Sequence, residues 1–253
     1  RKIQDELKDL ASQKAIFSFA TLSVEEEGIK SSLSKFFSPE QLEKIAEHVK
    51  AEKGDLVIIV SGKWRVVSEA LGAVRQDCAK RLSLTDSSKA AWCWVVDFPF
   101  YEQSELKPGS IDFGHNPFSM PQGGHEAIDG KEPLEILAYQ YDLVLNGYEV
   151  SSGAVRNHDP ELLRKVFVKV GYEPSEVDKR FGGMIRAFQY GVPPHAGNAP
   201  GVDRLLMVLN DWDSIRDLYA FPKDGQGRDV LMNSPSEVDA AQLTELGIQP
   251  IKR

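Results

Sequence analysis

The sequence predicts an α+β chain, and three observations carry that reading. Residues 139–156 form two alternating runs joined by Asn146-Gly147, a strong hairpin signal. Leu56-Val-Ile-Ile-Val60 is an apolar, β-branched run too short for a helix. Ser38-Pro39 and Asp159-Pro160 each place a capping side chain and a proline ahead of helically spaced apolar residues.

Composition bounds the rest. With 253 residues, 42% of them hydrophobic, the chain can bury a substantial core in one large domain or two smaller ones. Its apolar runs fall far below the roughly 18 residues of a membrane span, and no secretory leader is visible, so a soluble cytoplasmic protein with no membrane partner is expected. A formal charge of -8 argues against a broad basic face for nucleic acid and leaves room only for a local basic track. Cys78 and Cys93 are the only cysteines, without a CxxC pair or zinc-spaced histidines, so reduced thiols are expected rather than a disulfide or a zinc site. The chain opens without Met, with Ile3, Leu7 and Leu10 already on one helical stripe, and is expected to be a fragment.

After that opening helix, Ala15–Ala20 reads as a short strand. Ser38–Val49 reads as a helix with Ser38 as N-cap, Pro39 first, and Gln41 three residues after the cap. Gly54-Asp55 leads into Leu56–Val60, expected as a buried strand because it is apolar throughout. Trp64–Leu82 is a further helix, with Val67, Leu71, Val74 and Cys78 on one face, while His48 and Lys53 suit a solvated surface. No catalytic constellation occurs in this part. A polar junction, Ser83–Lys89, precedes the strand Ala91–Phe100, which ends at Pro99, and a charged loop, Gln103–Ser110, is closed by Pro108-Gly109.

His115 lies in a segment of Pro and Gly, where a lone histidine ordinarily marks a loop. If Glu149–Arg156 is the return strand of the hairpin, alternation sends Ser151, Gly153 and Val155 to the face of Glu149. Arg156 then faces the other way unless a bulge intervenes, for which Gly153 is a candidate. Helices follow from Asp159 to Val170 and from Glu176 to Tyr190, with His158 and His195 in loops.

Gly191–Asn210 changes character midway. Up to Gly201 it is small residues and turn formers; Val202, Leu205, Leu206, Val208 and Leu209 then recur at the spacing of a buried helix. Glycines allow close backbone approach to a ligand, and a helix's first turn offers N–H groups and partial positive charge, a combination that suits phosphate. Arg204 in that turn opposes the helix dipole, which calls for an anion nearby. The plainer alternative is a Gly-rich loop feeding a core helix, with Asp203 as a helix-start carboxylate and Arg204 paired to it or to solvent.

This stretch resembles the third signature motif of class II aminoacyl-tRNA synthetases. The likeness continues through Ile215-Arg-Asp-Leu-Tyr-Ala-Phe-Pro-Lys223, which is similar to a segment of the bacterial-type aspartyl-tRNA synthetases. Val67–Arg75 resembles the α+β domain which that family inserts between its second and third motifs, related to a module of the tRNA-dependent amidotransferase B subunit. Val95–Pro99 resembles the return to the catalytic domain, and Gln242–Ile248 the closing phrase. The resemblance implies a smaller inserted α+β domain over residues 1–88, incomplete at its start. It implies over 89–253 the C-terminal part of the class II catalytic domain, an antiparallel sheet flanked by helices. The anticodon-binding barrel and the first two motifs are missing, so the isolated chain is expected to be inactive.

By the same resemblance His115 and Arg156 bind L-aspartate, Arg156 meeting the side-chain carboxylate through its planar fork. Gly201, Val202, Asp203 and Arg204 bind ATP together with Glu149, Arg204 being the catalytic cation. Glu149 and Ser152 are the implied Mg²⁺ ligands, Ser152 because archaeal and eukaryotic members carry serine where bacterial ones have glycine. The implied activity is aspartate-tRNA ligation through aspartyl-adenylate, in a cytoplasmic homodimer with tRNA(Asp) as partner and tRNA(Asn) left open. Asn116, Ala196 and Pro200 depart from common family residues. An asparaginyl or lysyl relative, and a non-catalytic paralogue that binds RNA or amino acid, are the alternatives.

Overall fold

The computed structural model describes residues 2–13 and 18–249. The chain divides into two compact units, Arg1–Asp86 and Ser87–Arg253.

In the first unit, β1 (Ser18–Glu25), β2 (Gly28–Ser31) and β3 (Leu56–Ser61) form an antiparallel sheet in the order β2-β1-β3. Three helices, α1 (Lys2–Ser12), α2 (Pro39–His48) and α3 (Trp64–Arg81), cover it. Phe19 and Ile58 share one face and pack with Leu7 and Ala11 of α1 and Ala70 and Val74 of α3. Leu22 and Val57 share the other and pack with Leu42 and Ala46 of α2. A sheet covered on both sides needs apolar residues at successive positions, which is why β3 reads as an unbroken apolar run.

Three expectations change here. β3 is an edge strand, so it is half-buried rather than buried, and Leu56 is exposed. The buried stripe of α1 is Leu7 and Ala11, with Ile3 outside. On α3 it is Ala70 and Val74, with Leu71 outside, because the small Ala70 and Ala11 let the two helices approach closely. Of the strand expected at Ala15–Ala20, Ser18–Ala20 opens β1, while Ala15–Phe17 lie outside the described residues. The α2 start is as expected: Ser38 Oγ accepts from the Gln41 N–H, and Gln41 Oε1 accepts from the Ser38 N–H at 2.9 Å.

The second unit begins with β4 (Trp92–Pro99), then a small hairpin of β5 (Tyr101–Gln103) and β6 (Ile111–Phe113). A short helix α4 (Gly124–Gly130), β7 (Leu137–Leu145), β8 (Tyr148–Val155), α5 (Pro160–Lys169) and α6 (Pro174–Phe188) follow. β9 (Ala196–Pro200), α7 (Val202–Leu209) and α8 (Ala240–Glu245) complete it. The main sheet is antiparallel in the order β4-β7-β8-β9. Asn146 and Gly147 join β7 to β8 with φ of 50° and 87°, the left-handed pair that a tight hairpin turn requires. The Asn146 carboxamide also accepts from the Ala91 N–H at 2.8 Å and donates to the Lys89 carbonyl at 3.0 Å, fixing the start of β4 to the turn.

The core of this unit gathers Phe100, Tyr101, Ile128, Ile136, Leu163, Val166 and Ile185, with Phe113, Phe118, Phe167 and Phe181 packed edge or tilted against one another. Tyr101 is buried with its hydroxyl donated to the Val166 carbonyl at 3.0 Å, and burial pushes its phenol far above the ordinary value. Asp159 caps α5, its Oδ1 accepting from the N–H groups of Glu161 and Leu162 at 2.9 and 3.1 Å.

The helix expected to be buried after Gly201 is largely exposed. Only Met207 of α7 is buried, while Val202, Leu206 and Leu209 face outward. Periodicity reports that a helix has an apolar face, and says nothing of what covers it. β4, at the edge of the sheet, likewise exposes Trp92, Trp94, Val95 and Val96, Trp94 resting edge-on against Tyr141 at 5.9 Å. Among the described residues no helix is long and apolar enough to cross a membrane.

Candidate functional site

The site is set by a single irregularity in β8. Tyr148 pairs with Leu145 and Glu149 with Val144, but Leu143 pairs with Ser151, so Val150 is an extra residue. Such a bulge shifts the alternation that follows it by one. Ser152 then stands opposite Asp142 and Ala154 opposite Gln140, on the face where Glu149 stands opposite Val144. Just beyond β8, Arg156 bridges to Ser119 and donates its N–H to the His195 carbonyl at 2.9 Å, so the extended chain carries it to this same face. Glu149, Ser152 and Arg156 thus form one row.

Gly153 is not the bulge. A Cβ there would lie 2.3 Å from the Gly197 carbonyl oxygen and 2.4 Å from the Tyr141 ring, so glycine is needed for close packing on the opposite face. The Tyr141 hydroxyl donates to that carbonyl at 2.9 Å, and Ser151 Oγ donates to Asn198 Oδ1 at 2.6 Å, tying β9 to β8.

Over the row lies an open cavity of about 660 Å³ whose lining includes His115, Phe118, Gln140, Ser152, Arg156 and Asn198. The His115 ring sits 6.1 Å from that of Phe98 and is exposed to the cavity mouth. The Arg156 guanidinium lies over the Phe118 ring at 5.8 Å. Among the described residues no carboxylate lies within 4.0 Å of it. A half-buried guanidinium without an anion, held against an aromatic face, is suited to a carboxylate brought by a ligand.

At the other end of the row Arg204 donates to the Glu149 main-chain oxygen at 2.7 Å and lies 3.4 Å from its carboxylate. This is the anion that a first-turn arginine called for, and it belongs to the protein. The Gly201 N–H is taken by the Val150 carbonyl at 2.8 Å, so the bulge also anchors the start of α7, where Val202 is exposed. The Asp203 carboxylate accepts from the Tyr219 hydroxyl and holds that phenol above its ordinary value. It therefore links α7 to the Ile215–Leu218 turn.

Of the residues singled out from sequence, His115, Ser152 and Arg156 meet in the cavity, and Glu149 meets Arg204, which Gly201, Val202 and Asp203 precede along the chain. Among the described residues no cluster of three or more His, Cys, Asp or Glu could hold a metal by itself. Glu149 and Ser152 do offer hard oxygen donors on one face beside Asp142, a partial set that fits Mg²⁺ completed by phosphates and water. Sequence reasoning passed over Gln140, although a polar residue alternating with Asp142 along a strand was its available signal.

Residues 4–225 match the family described as tRNA synthetases class II (D, K and N). The chain is 46% identical over 249 residues to an aspartate-tRNA(Asp/Asn) ligase of Chlorobium chlorochromatii (strain CaD3), covering 98% of this chain and 41% of the relative. It is 44% identical over 247 residues to an aspartate-tRNA ligase of Streptomyces coelicolor, covering 97% of this chain and 42% of the relative. The chain therefore spans about 41% of the length of the curated relatives it matches. Among solved structures, an aspartyl tRNA synthetase from Entamoeba histolytica is similar at 27% identity and a TM-score of 0.39, over 60% of this chain and 26% of that one.

Proposed function

We propose that this chain, which belongs to the class II tRNA synthetases (D, K and N), is the amino-acid- and ATP-facing part of an aspartate-tRNA ligase. The observation that carries the proposal is the row Glu149, Ser152 and Arg156, with a guanidinium that no carboxylate among the described residues approaches and His115 in the wall of the same cavity. Arg156 takes the side-chain carboxylate of L-aspartate through two parallel hydrogen bonds, with His115 beside it. The α-carboxylate then attacks the α-phosphorus of ATP, pyrophosphate leaves, and the terminal ribose of tRNA takes the aspartyl group from the adenylate.

Most of the rate enhancement in such a displacement comes from positioning and from stabilising charge on the phosphates. Arg204, held at the mouth of the row by Glu149, supplies a fixed cation, and Gly201, Val202 and Asp203 present the start of α7 to the nucleotide. Glu149 and Ser152 would hold Mg²⁺, which neutralises phosphate charge when bound with ATP. Residues 1–88 are read as the inserted domain and 89–253 as part of the catalytic domain of a cytoplasmic homodimer. tRNA(Asp) is the proposed acceptor. The Chlorobium relative's name also includes tRNA(Asn), which aminoacylation assays with each purified tRNA would decide.

The test is exchange of pyrophosphate into ATP by the full-length gene product, with aspartate, asparagine and lysine in parallel. Exchange with aspartate alone is expected. Exchange with asparagine or lysine instead would move the assignment to those relatives, and a folded protein inert with all three would be a non-catalytic paralogue.

A further inference from the structure

Gln140 is buried in the wall of the cavity, 4% exposed, and only half of its carboxamide is satisfied. Its Nε2 donates to Ser119 Oγ at 2.7 Å and to the Asn116 carbonyl at 3.2 Å. Its Oε1 has no hydrogen-bond partner among the described residues. The amide cannot be turned over to cure this, because Oε1 would then face the Asn116 carbonyl, acceptor against acceptor. Asn116 is itself fixed, its Oδ1 accepting from the Phe118 N–H at 3.0 Å.

A buried acceptor without a donor is costly, and the natural donor stands nearby. Gln140 is paired with Ala154, and Arg156 follows Ala154 by two positions on the same face. The Arg156 fork has five N–H donors, and its charge rests on Phe118, within the same 116–119 segment that grips the Gln140 amide. Because Oε1 is sealed from solvent, a neighbouring side chain reaches it more readily than a ligand does.

We infer that Gln140 is a positioning residue for Arg156: its orphan Oε1 receives one guanidinium N–H when a carboxylate engages the fork, and fixes the plane in which that carboxylate is read. This rests on the proposed role of Arg156 as the aspartate-binding cation. The neutrality of the amide matters. A carboxylate at position 140 would satisfy Arg156 internally and repel the acidic substrate, whereas an amide oxygen orients the cation without spending its charge.

The experiment uses the full-length gene product, measuring aspartate- and asparagine-dependent pyrophosphate exchange together with KM for ATP and thermal unfolding. Gln140→Met keeps the volume and removes the acceptor. It should raise KM for aspartate about tenfold or more, as for a lost hydrogen bond to a charged group, with KM for ATP within about twofold. Gln140→Glu should reduce kcat/KM for aspartate more than for asparagine, narrowing the preference between them. In an Arg156→Leu background, Gln140→Met should change aspartate kcat/KM by less than about twofold, since its effect runs through the arginine. Folded Gln140 variants with an unchanged aspartate-to-asparagine ratio would overturn the inference. Parallel losses for aspartate and ATP, persisting without Arg156, would overturn it too by showing a purely structural role. If Arg156→Leu alone left the preference for aspartate intact, the underlying reading of Arg156 would fail instead.

Discussion

Glu149 and Arg156 stand on the same side of the sheet although they are seven positions apart, an offset that plain alternation would send to opposite faces, because Val150 is unpaired in the ladder between β7 and β8. That one residue aligns the anionic and cationic ends of a single binding row.

Arg156→Leu in the full-length protein should therefore remove most of the preference for aspartate over asparagine. The expected loss is about 2 to 5 kcal/mol, by analogy with other truncated charge pairs. Arg156→Lys keeps the charge but not the fork, and should recover only part of it. Ratios of kcat/KM in pyrophosphate exchange measure both.

Arg204→Ala separates function from stability. Its contact with Glu149 is between two half-exposed side chains, so unfolding should change by about 1 kcal/mol or less. KM for ATP should nonetheless rise about tenfold or more, as expected when a charge-assisted contact to phosphate is lost. Urea unfolding and steady-state kinetics on one preparation make the comparison.

Gly153→Ala should act from the opposite face. The added methyl meets the Gly197 carbonyl and the Tyr141 ring, and the packing must open. A loss of about 1 to 3 kcal/mol is expected, read as a lower midpoint in calorimetry, with any effect on aspartate selectivity secondary.

Asp159 supplies a pH-dependent contribution. Partial burial raises its carboxyl's pKa, but the Leu162 N–H, the His125 ring and the Glu161 N–H outweigh this and hold it below its ordinary value. A depressed folded-state value means that the stabilisation is present above the unfolded-state pKa and is lost as pH falls through the folded one. Asp159→Ala should cost about 1 kcal/mol near neutral pH, as for other N-caps, and progressively less in acid. Unfolding of both proteins across that range tests the sign; Asp159→Asn, which keeps a capping oxygen, should retain most of the stability.

Local chemistry was legible in the sequence, and pairing was not. Ser38 with Gln41, Asp159 with Pro160, and Asn146-Gly147 each announce a structure formed by neighbours along the chain, and each forms. The bulge at Val150 depends on how β8 meets β7, so alternation pointed to Gly153, whose glycine answers a different demand. The apolar periods of β3 and α7 were right about faces and wrong about cover, because burial depends on what packs opposite. His115 and Arg156 could be named together from motif order, but the cavity they line needed the fold, and the half-satisfied carboxamide of Gln140 shows only once its neighbours are placed.

The edge-on contact of Trp94 with Tyr141 makes the sheet optically readable. The four tryptophans, Trp64, Trp92, Trp94 and Trp212, are all exposed, so native emission should already lie near that of indole in water and shift little in colour on unfolding. Trp94 leans on a ring that covers Gly153 and bonds to β9. Its intensity, rather than its wavelength, would then follow the closure of β8 on β9, from the side of the sheet that the proposed substrates do not occupy.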